Sequence, residues 1–219
     1  MIRILGVARS RATRNIWLLE ELGAEWQLVP VIQAYRLPDP LAPDAPLNTR
    51  SPAFLDISPQ GAVPVMQDGD FTLTESLAIN LYLARRFGGP LAPETPQEDA
   101  LAAQWSLYGA TAIEGPALEI SFAYRDDSHA TPEGAARIDR AMAALERPLR
   151  VLESHLSTRD WLMGERFTVA DINLSEMVRY AQAHGPALAP YPAVSRWLAA
   201  CHARPAFARM WEMRLAEPE

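Results

Sequence analysis

Residues 58–87 read SPQGAVPVMQDGDFTLTESLAINLYLARRF, and three local signals fall in this order along them. Pro59 and Gly61 punctuate the approach, and Pro64 then interrupts what would otherwise be a continuous strand over 62–67, because a proline cannot donate to a ladder and belongs at a strand start. Asp68-Gly69 between two short β-type runs supplies a two-residue hairpin turn, so two antiparallel strands follow Pro64 directly. Thr74-Glu75-Ser76 then opens a helix. Its first backbone N–H groups lack intrahelical partners and lie at the positive end of the dipole, so a carboxylate placed against Ser76 would be held there. The stretch reads as a ligand cradle, against the plainer alternative of a hairpin with a proline at its edge.

Working back toward the N-terminus, residues 3–7 form a short apolar strand. Ala12, Ile16, Leu19 and Leu22 then repeat at helical spacing, with Gly23 placed to end the helix. Residues 27–32 give a second strand, so the opening is a βαβ unit with parallel strands, and Pro30 puts that strand at a sheet edge. Ser10 stands at the strand-to-helix junction. A serine there is a preferred N-cap as well as a candidate catalytic hydroxyl. Arg14 reads as structural.

Working forward, residues 34–52 are dense in proline (Pro38, Pro40, Pro43, Pro46, Pro52) and lack a period, so they form a surface loop. Gly88, Gly89, Pro90, Pro93 and Pro96 mark a linker. The domain organisation read here is therefore 1–87, an α/β domain with a mixed four-stranded sheet; 88–96, the linker; and 97–219, an all-α domain. In the latter, helices are predicted over 98–114, 117–124, 133–156, 169–183, 194–202 and 207–214, with a break at Gly115-Pro116. Phe167-Thr168-Val169-Ala170-Asp171-Ile172 is a capping box with a hydrophobic staple, which accounts for Asp171 without catalysis.

Pro59-Gln60-Gly61-Ala62-Val63-Pro64 resembles the Pro-x-Gly-x-Val-Pro of soluble glutathione S-transferases, and Glu75-Ser76-Leu77-Ala78-Ile79 resembles their acid/amide-Ser-x-x-Ile helix start. Ser10 followed by Arg14 and by Glu20-Glu21-Leu22-Gly23 is similar to the serine-type, bacterial-like opening of that family. The resemblance implies a thioredoxin-like first domain with a cis-proline before its third strand. It implies glutathione as co-substrate, without a metal. It also implies site roles: Ser10 as the catalytic hydroxyl, Ala62, Val63 and Pro64 along the cysteinyl part, Glu75 and Ser76 at the γ-glutamyl end, and Arg50, with Asn48 behind it, at the glycine carboxylate. Ser58 and Ala62 stand where the family often has Asn and Lys, which removes one carboxylate contact. A small hydrophobic electrophile is expected against the helical half, at Tyr108, Thr111, Ala112, Phe122 and Trp211. The functions implied are a transferase engaged in detoxification, a glutathione-dependent isomerase, or a non-catalytic glutathione-binding scaffold module.

Composition bounds the rest. Among 219 residues, 49% are apolar, 20 basic residues face 27 acidic ones, and the net charge is −7. No apolar run approaches the ~18 to 20 residues of a membrane span, and the charge argues against nucleic acid as a partner. Met1 leads directly into a strand without a signal peptide pattern, from which a cytoplasmic protein is expected. A single cysteine, Cys201, excludes a Cys-x-x-Cys redox pair, and His129, His155, His184 and His202 lack metal-ligand spacing. A homodimer is expected from the resemblance and from Leu101, Trp105, Tyr108 and Ile113, more apolar surface than one short helical domain easily buries, with Gln104 reaching the neighbouring subunit's glutathione.

Overall fold

A computed structural model describes residues 1–218 in two compact units, residues 1–87 together with those from Pro205 onward, and residues 88–204. In the first, β1 (Ile2–Gly6) pairs parallel with β2 (Trp26–Pro30) and antiparallel with β3 (Val65–Asp68), and β4 (Phe71–Thr74) completes a sheet of order β2-β1-β3-β4. The mixed four-stranded sheet expected from the sequence is present, and Pro30 sits in an edge strand. Helix α1 (Ala12–Leu22) ends at Gly23, whose φ of 58° is left-handed and whose N–H reaches the Leu19 and Glu20 carbonyls. A short α2 (Pro52–Leu55) lies in the proline-rich loop, and α3 (Ser76–Phe87) follows β4. Leu5, Val31, Phe54 and Val65 bury one cluster, each such side chain stabilising the fold by about 1.5 to 3 kcal/mol.

The hairpin turn lies one residue later than expected. Asp68 pairs with Phe71 as the last rung of the ladder, so Gly69-Asp70 is the two-residue loop, with Gly69 at φ 57°. Asp68 is kept in the strand because its carboxylate accepts bonds from the Tyr82 hydroxyl (2.8 Å) and Arg86 Nε (3.2 Å), both on α3. The last helix, α9 (Pro205–Ala216), was expected in the helical domain but packs on α1. Phe207 meets the Trp17 ring edge-to-face at 5.0 Å, and Arg209 Nε donates to Glu20 at 2.7 Å. Trp211, stacked on Phe207, therefore belongs to the first unit, because α9 buries its apolar face against α1.

The second unit consists of α4 (Pro96–Tyr108), a π-helical turn (Gly109–Ile113), α5 (Glu114–Arg125), α6 (Pro132–Leu156), α7 (Val169–Val178) running on as a 3-10 turn (Arg179–Ala183), and α8 (Pro192–His202). The break thus falls at 109–113 and not at Gly115-Pro116. Gly109 is where α7 crosses closely, since a Cβ there would lie 2.2 Å from Met177 Cε and 2.7 Å from Leu174 Cδ1. Pro116 is tolerated in the first turn of α5, where N–H groups need no intrahelical partner. Trp105 (6% exposed) and Ile113 (0%) are buried within this unit, so they are not spare apolar surface for a dimer; Leu101 and Leu107 are exposed.

The capping box at α7 is present and more deeply bonded than the sequence shows. Fully buried Asp171 accepts from Thr168 N (2.9 Å), Leu162 N (2.9 Å) and Trp197 Nε1 (2.9 Å). Burial pushes its carboxyl up to about 6, against the opposing pull of these donors. Asp171→Ala orphans several buried donors at about 1 to 3 kcal/mol each. A loss of about 3 kcal/mol or more by denaturant unfolding is therefore expected, above the ~0.5 to 2 kcal/mol of an exposed cap. A carboxyl whose folded value lies above its unfolded value stabilises fully below the unfolded value and loses that share as pH rises through the folded one. The gap between wild type and Asp171→Ala should therefore be wider at pH 4 than at pH 7.

Candidate active site

The site is built where β1, the loop before β3 and two helix starts meet within the first unit. The β3 ladder begins at Val65, paired with Leu5 and Thr74, and the Val63-Pro64 peptide just before it is cis. Among the described residues, neither the N–H nor the C=O of half-buried Val63 has a hydrogen-bond partner. This is the backbone left over when a proline stops a strand one residue short. Gly6 lies beside it. A Cβ there would sit 3.6 Å from Val63 Cβ, 3.8 Å from Pro64 Cα and 3.4 Å from Ala12 Cβ, so the Val63 loop and the start of α1 flank one glycine.

Ser10 is half-buried in the turn joining β1 to α1. Its hydroxyl donates to the Val7 carbonyl (2.6 Å) and accepts from Ala12 N (3.1 Å), while the N-cap position itself is Arg11. The hydroxyl is thus doing local capping work of the kind weighed from sequence, one residue upstream of the formal cap.

The start of α3 is held from beneath. Ser76 is buried, its hydroxyl accepting from Arg14 Nη1 at 3.1 Å and its carbonyl from Asn15 Nδ2 at 2.9 Å. Asn15 Nδ2 also reaches Asn80 Oδ1 (2.7 Å), and Asn80 Nδ2 returns to the Arg14 carbonyl (3.1 Å). Arg14 (1% exposed), Asn15 and Asn80 thus fasten α1 to α3 through a buried polar network. Arg14 is structural, as its place in the sequence suggests, while Asn15 and Asn80 carry a weaker signal, being polar residues on the apolar faces of both helices. Glu75 precedes α3 with an exposed side chain and φ 67°, and its carbonyl accepts from Ile79 N at 2.9 Å.

Arg50 is exposed and lines a cavity of about 750 Å³ with Tyr35, Thr49, Gln60 and Gly61. Asn48 is buried instead, its Nδ2 donating to the Pro40 (2.9 Å) and Pro46 (2.8 Å) carbonyls, so it ties the loop together. Ala62 is exposed beside Val63. In the second unit, the Tyr108 hydroxyl donates to the Pro148 carbonyl (3.1 Å), and burial raises its pKa. Thr111 is exposed, Ala112 half-buried, and Phe122 lies under the Arg125 guanidinium at 4.5 Å. Trp211 lies in the first unit, and the other four residues expected against an electrophile lie in the second. Among the described residues, no cluster of three or more His, Cys, Asp or Glu side chains is arranged to hold a metal ion.

Residues 9–86 match the glutathione S-transferase N-terminal domain family and residues 105–205 the C-terminal domain family. Glutathione S-transferase 3 of Zea mays is 30% identical over 218 residues, which cover 94% of this chain and 91% of that protein. The chain belongs to the glutathione S-transferase family. Elongation factor 1-gamma of Danio rerio is 36% identical over 175 residues, 78% of this chain, but the match spans only 38% of that longer protein. A glutathione transferase family member from Pseudomonas fluorescens pf-5, solved with two glutathione bound, is similar in fold: TM-score 0.79 and 27% identity over 96% of this chain and 92% of that one. No described helix is long and apolar enough to cross a membrane.

A positive φ at a residue with a side chain costs on the order of 1 to 3 kcal/mol. Glu75→Gly should therefore leave the melting temperature unchanged or raised, and Glu75→Val, β-branched, should lower it; equal melting temperatures for the two would refute the left-handed geometry at Glu75.

Proposed function

We propose that the chain is a glutathione transferase that binds glutathione along Ala62, Val63 and Pro64 and activates its thiol for attack on electrophilic small molecules. The observation that carries this reading is the unpaired main chain of Val63, which offers one N–H and one C=O to a peptide ligand beside Gly6. Ser76, held by Arg14, and Glu75 receive the γ-glutamyl end at the α3 N-terminus, where backbone N–H groups favour a carboxylate. Arg50, on the wall of the 750 Å³ cavity, receives the glycine carboxylate. A similar protein solved with two glutathione bound supports glutathione as the ligand.

A free thiol has a pKa of about 8.5, and its thiolate is the nucleophile. Ser10 stabilises that anion by turning its hydroxyl proton from the Val7 carbonyl to the sulfur, and the α1 N-terminus adds a favourable dipole. The thiol proton leaves to solvent, the sulfur forms a bond to an electrophilic carbon, and the leaving group departs with the bonding pair. In an addition, the adjacent carbon takes up a proton instead. Reversible addition to a double bond would make the same thiolate an isomerase catalyst. The setting is cytoplasmic detoxification, since the cytosol keeps glutathione as a thiol. The assembly is a homodimer, for which exposed Leu101 and Leu107 on α4 supply apolar surface.

A second reading has its own support. The match to elongation factor 1-gamma, a protein named for translation and not for transfer, favours a glutathione-binding or scaffold module without turnover.

Ser10→Ala tests the transferase reading. Because Val63, Glu75 and Ser76 hold the peptide, affinity for glutathione should stay within about tenfold. The absorbance-monitored pKa of the bound thiol should rise toward the free value, and turnover at neutral pH should fall in step and recover partly at higher pH. An unshifted thiol pKa with normal turnover would leave Ser10 as a cap. Glutathione retention by wild type without turnover on a panel of electrophiles would establish the scaffold reading. Light scattering should give twice the monomer mass at micromolar concentration; a monomer mass would overturn the dimer.

A further inference from the structure

The segment just before Ser10 is gripped by the last turn of α9 and the residues just beyond it. Glu217 Oε1 accepts from Ala8 N at 2.6 Å and Oε2 from Arg9 N at 2.8 Å, so one carboxylate takes two successive backbone N–H groups. Arg9 Nε returns to the Glu217 carbonyl (2.9 Å), and Arg214 Nη1 donates to the Ala8 carbonyl (3.0 Å). Arg36 Nη2 donates to the Pro218 carbonyl (2.6 Å), and Gln33 Nε2 donates to the Arg9 carbonyl (3.2 Å). One of the gripped peptide groups has a second role. The Val7-Ala8 peptide gives its N–H to Glu217 and its C=O to the Ser10 hydroxyl at 2.6 Å. A peptide group is planar, so a carboxylate that fixes the direction of the N–H fixes the direction of the carbonyl as well.

We propose that Glu217 is a positioning residue for thiol activation: by chelating the Ala8 and Arg9 N–H groups it sets the plane of the Val7-Ala8 peptide, and that plane seats the Ser10 hydroxyl from which the thiolate is reached. This rests on the thiol-activating role given to Ser10 above. Charged acceptors make the stronger class of hydrogen bond, and two in parallel define an orientation as well as a distance. Small displacements of a catalytic group are expensive, so a loop free to rotate would weaken activation even with Ser10 intact.

Glutamine at 217 can accept from one N–H but presents an amide donor to the other; alanine accepts from neither. In the full-length protein, the pKa of bound glutathione should rise in the order wild type, Glu217→Gln, Glu217→Ala. A rise of about half a unit in the alanine variant corresponds to a roughly threefold loss of thiolate where pH lies below that pKa. Amide hydrogen exchange at Ala8 and Arg9 should accelerate in the same order. In the Ser10→Ala background, Glu217→Ala should add nothing to the thiol pKa, which a general loss of stability would not produce. If Ser10→Ala raises the thiol pKa but Glu217→Ala leaves it unchanged, lowers it as removal of a nearby negative charge would, or raises it equally without Ser10, the proposal is overturned. If Ser10→Ala itself leaves the thiol pKa alone, the activation reading falls and the positioning role with it, whereas unchanged exchange at Ala8 and Arg9 in Glu217→Ala overturns the chelation alone.

Discussion

A proline cannot give a hydrogen bond to a neighbouring strand, and the first unit is arranged around the place where that matters. Because Pro64 closes β3 at its start, the ladder to β1 and β4 begins with Val65, and Val63 is left beside the sheet with its main chain unpaired. The strands that surround this point are not free to shift. A slip of one residue would turn Val65 out of the cluster it shares with Leu5, Val31 and Phe54, since side chains alternate faces along a strand. Burial therefore fixes the register, and the register fixes where the unpaired backbone lies.

The two helix starts at the site are fastened by polar groups and not by packing alone. Arg14, Asn15 and Asn80 are buried and hydrogen-bonded across α1 and α3, an arrangement that costs desolvation and returns a definite relative placement of the two helices. That placement carries Ser76 and the helix that begins at it. The β1–α1 turn is fixed in a comparable way by residues distant in sequence, with Glu217 and Arg214 on Ala8 and Arg9. Local sequence supplies each turn, and long-range hydrogen bonds aim it.

Much of this was legible from residue patterns, and the limits follow from their reach. The Pro64 stop, the Gly23 helix end, the edge position of Pro30 and the Thr168–Asp171 capping box depend on a few adjacent residues, so sequence carries them. The turn at Gly69-Asp70 was misplaced by one residue because Asp68 is kept in the strand by Tyr82 and Arg86, partners more than ten residues away. The π-helical turn at 109–113 lies where Met177 and Leu174 cross over Gly109, and the position of α9 depends on Trp17 and Glu20. The Glu217 contacts have no local signature. Apolar periodicity likewise could not say whether Trp105 and Ile113 face a partner or their own core.

Under the proposed function, the unpaired backbone at Val63 and the start of α3 together receive glutathione. A backbone-resolved NMR titration of isotopically labelled protein with glutathione tests it most directly. Saturable shifts of the Val63 and Ser76 amides with one common dissociation constant are expected, with smaller changes along the buried interior of α6 and α7. Shifts that leave Val63 and Ser76 unmoved while other amides saturate would contradict it.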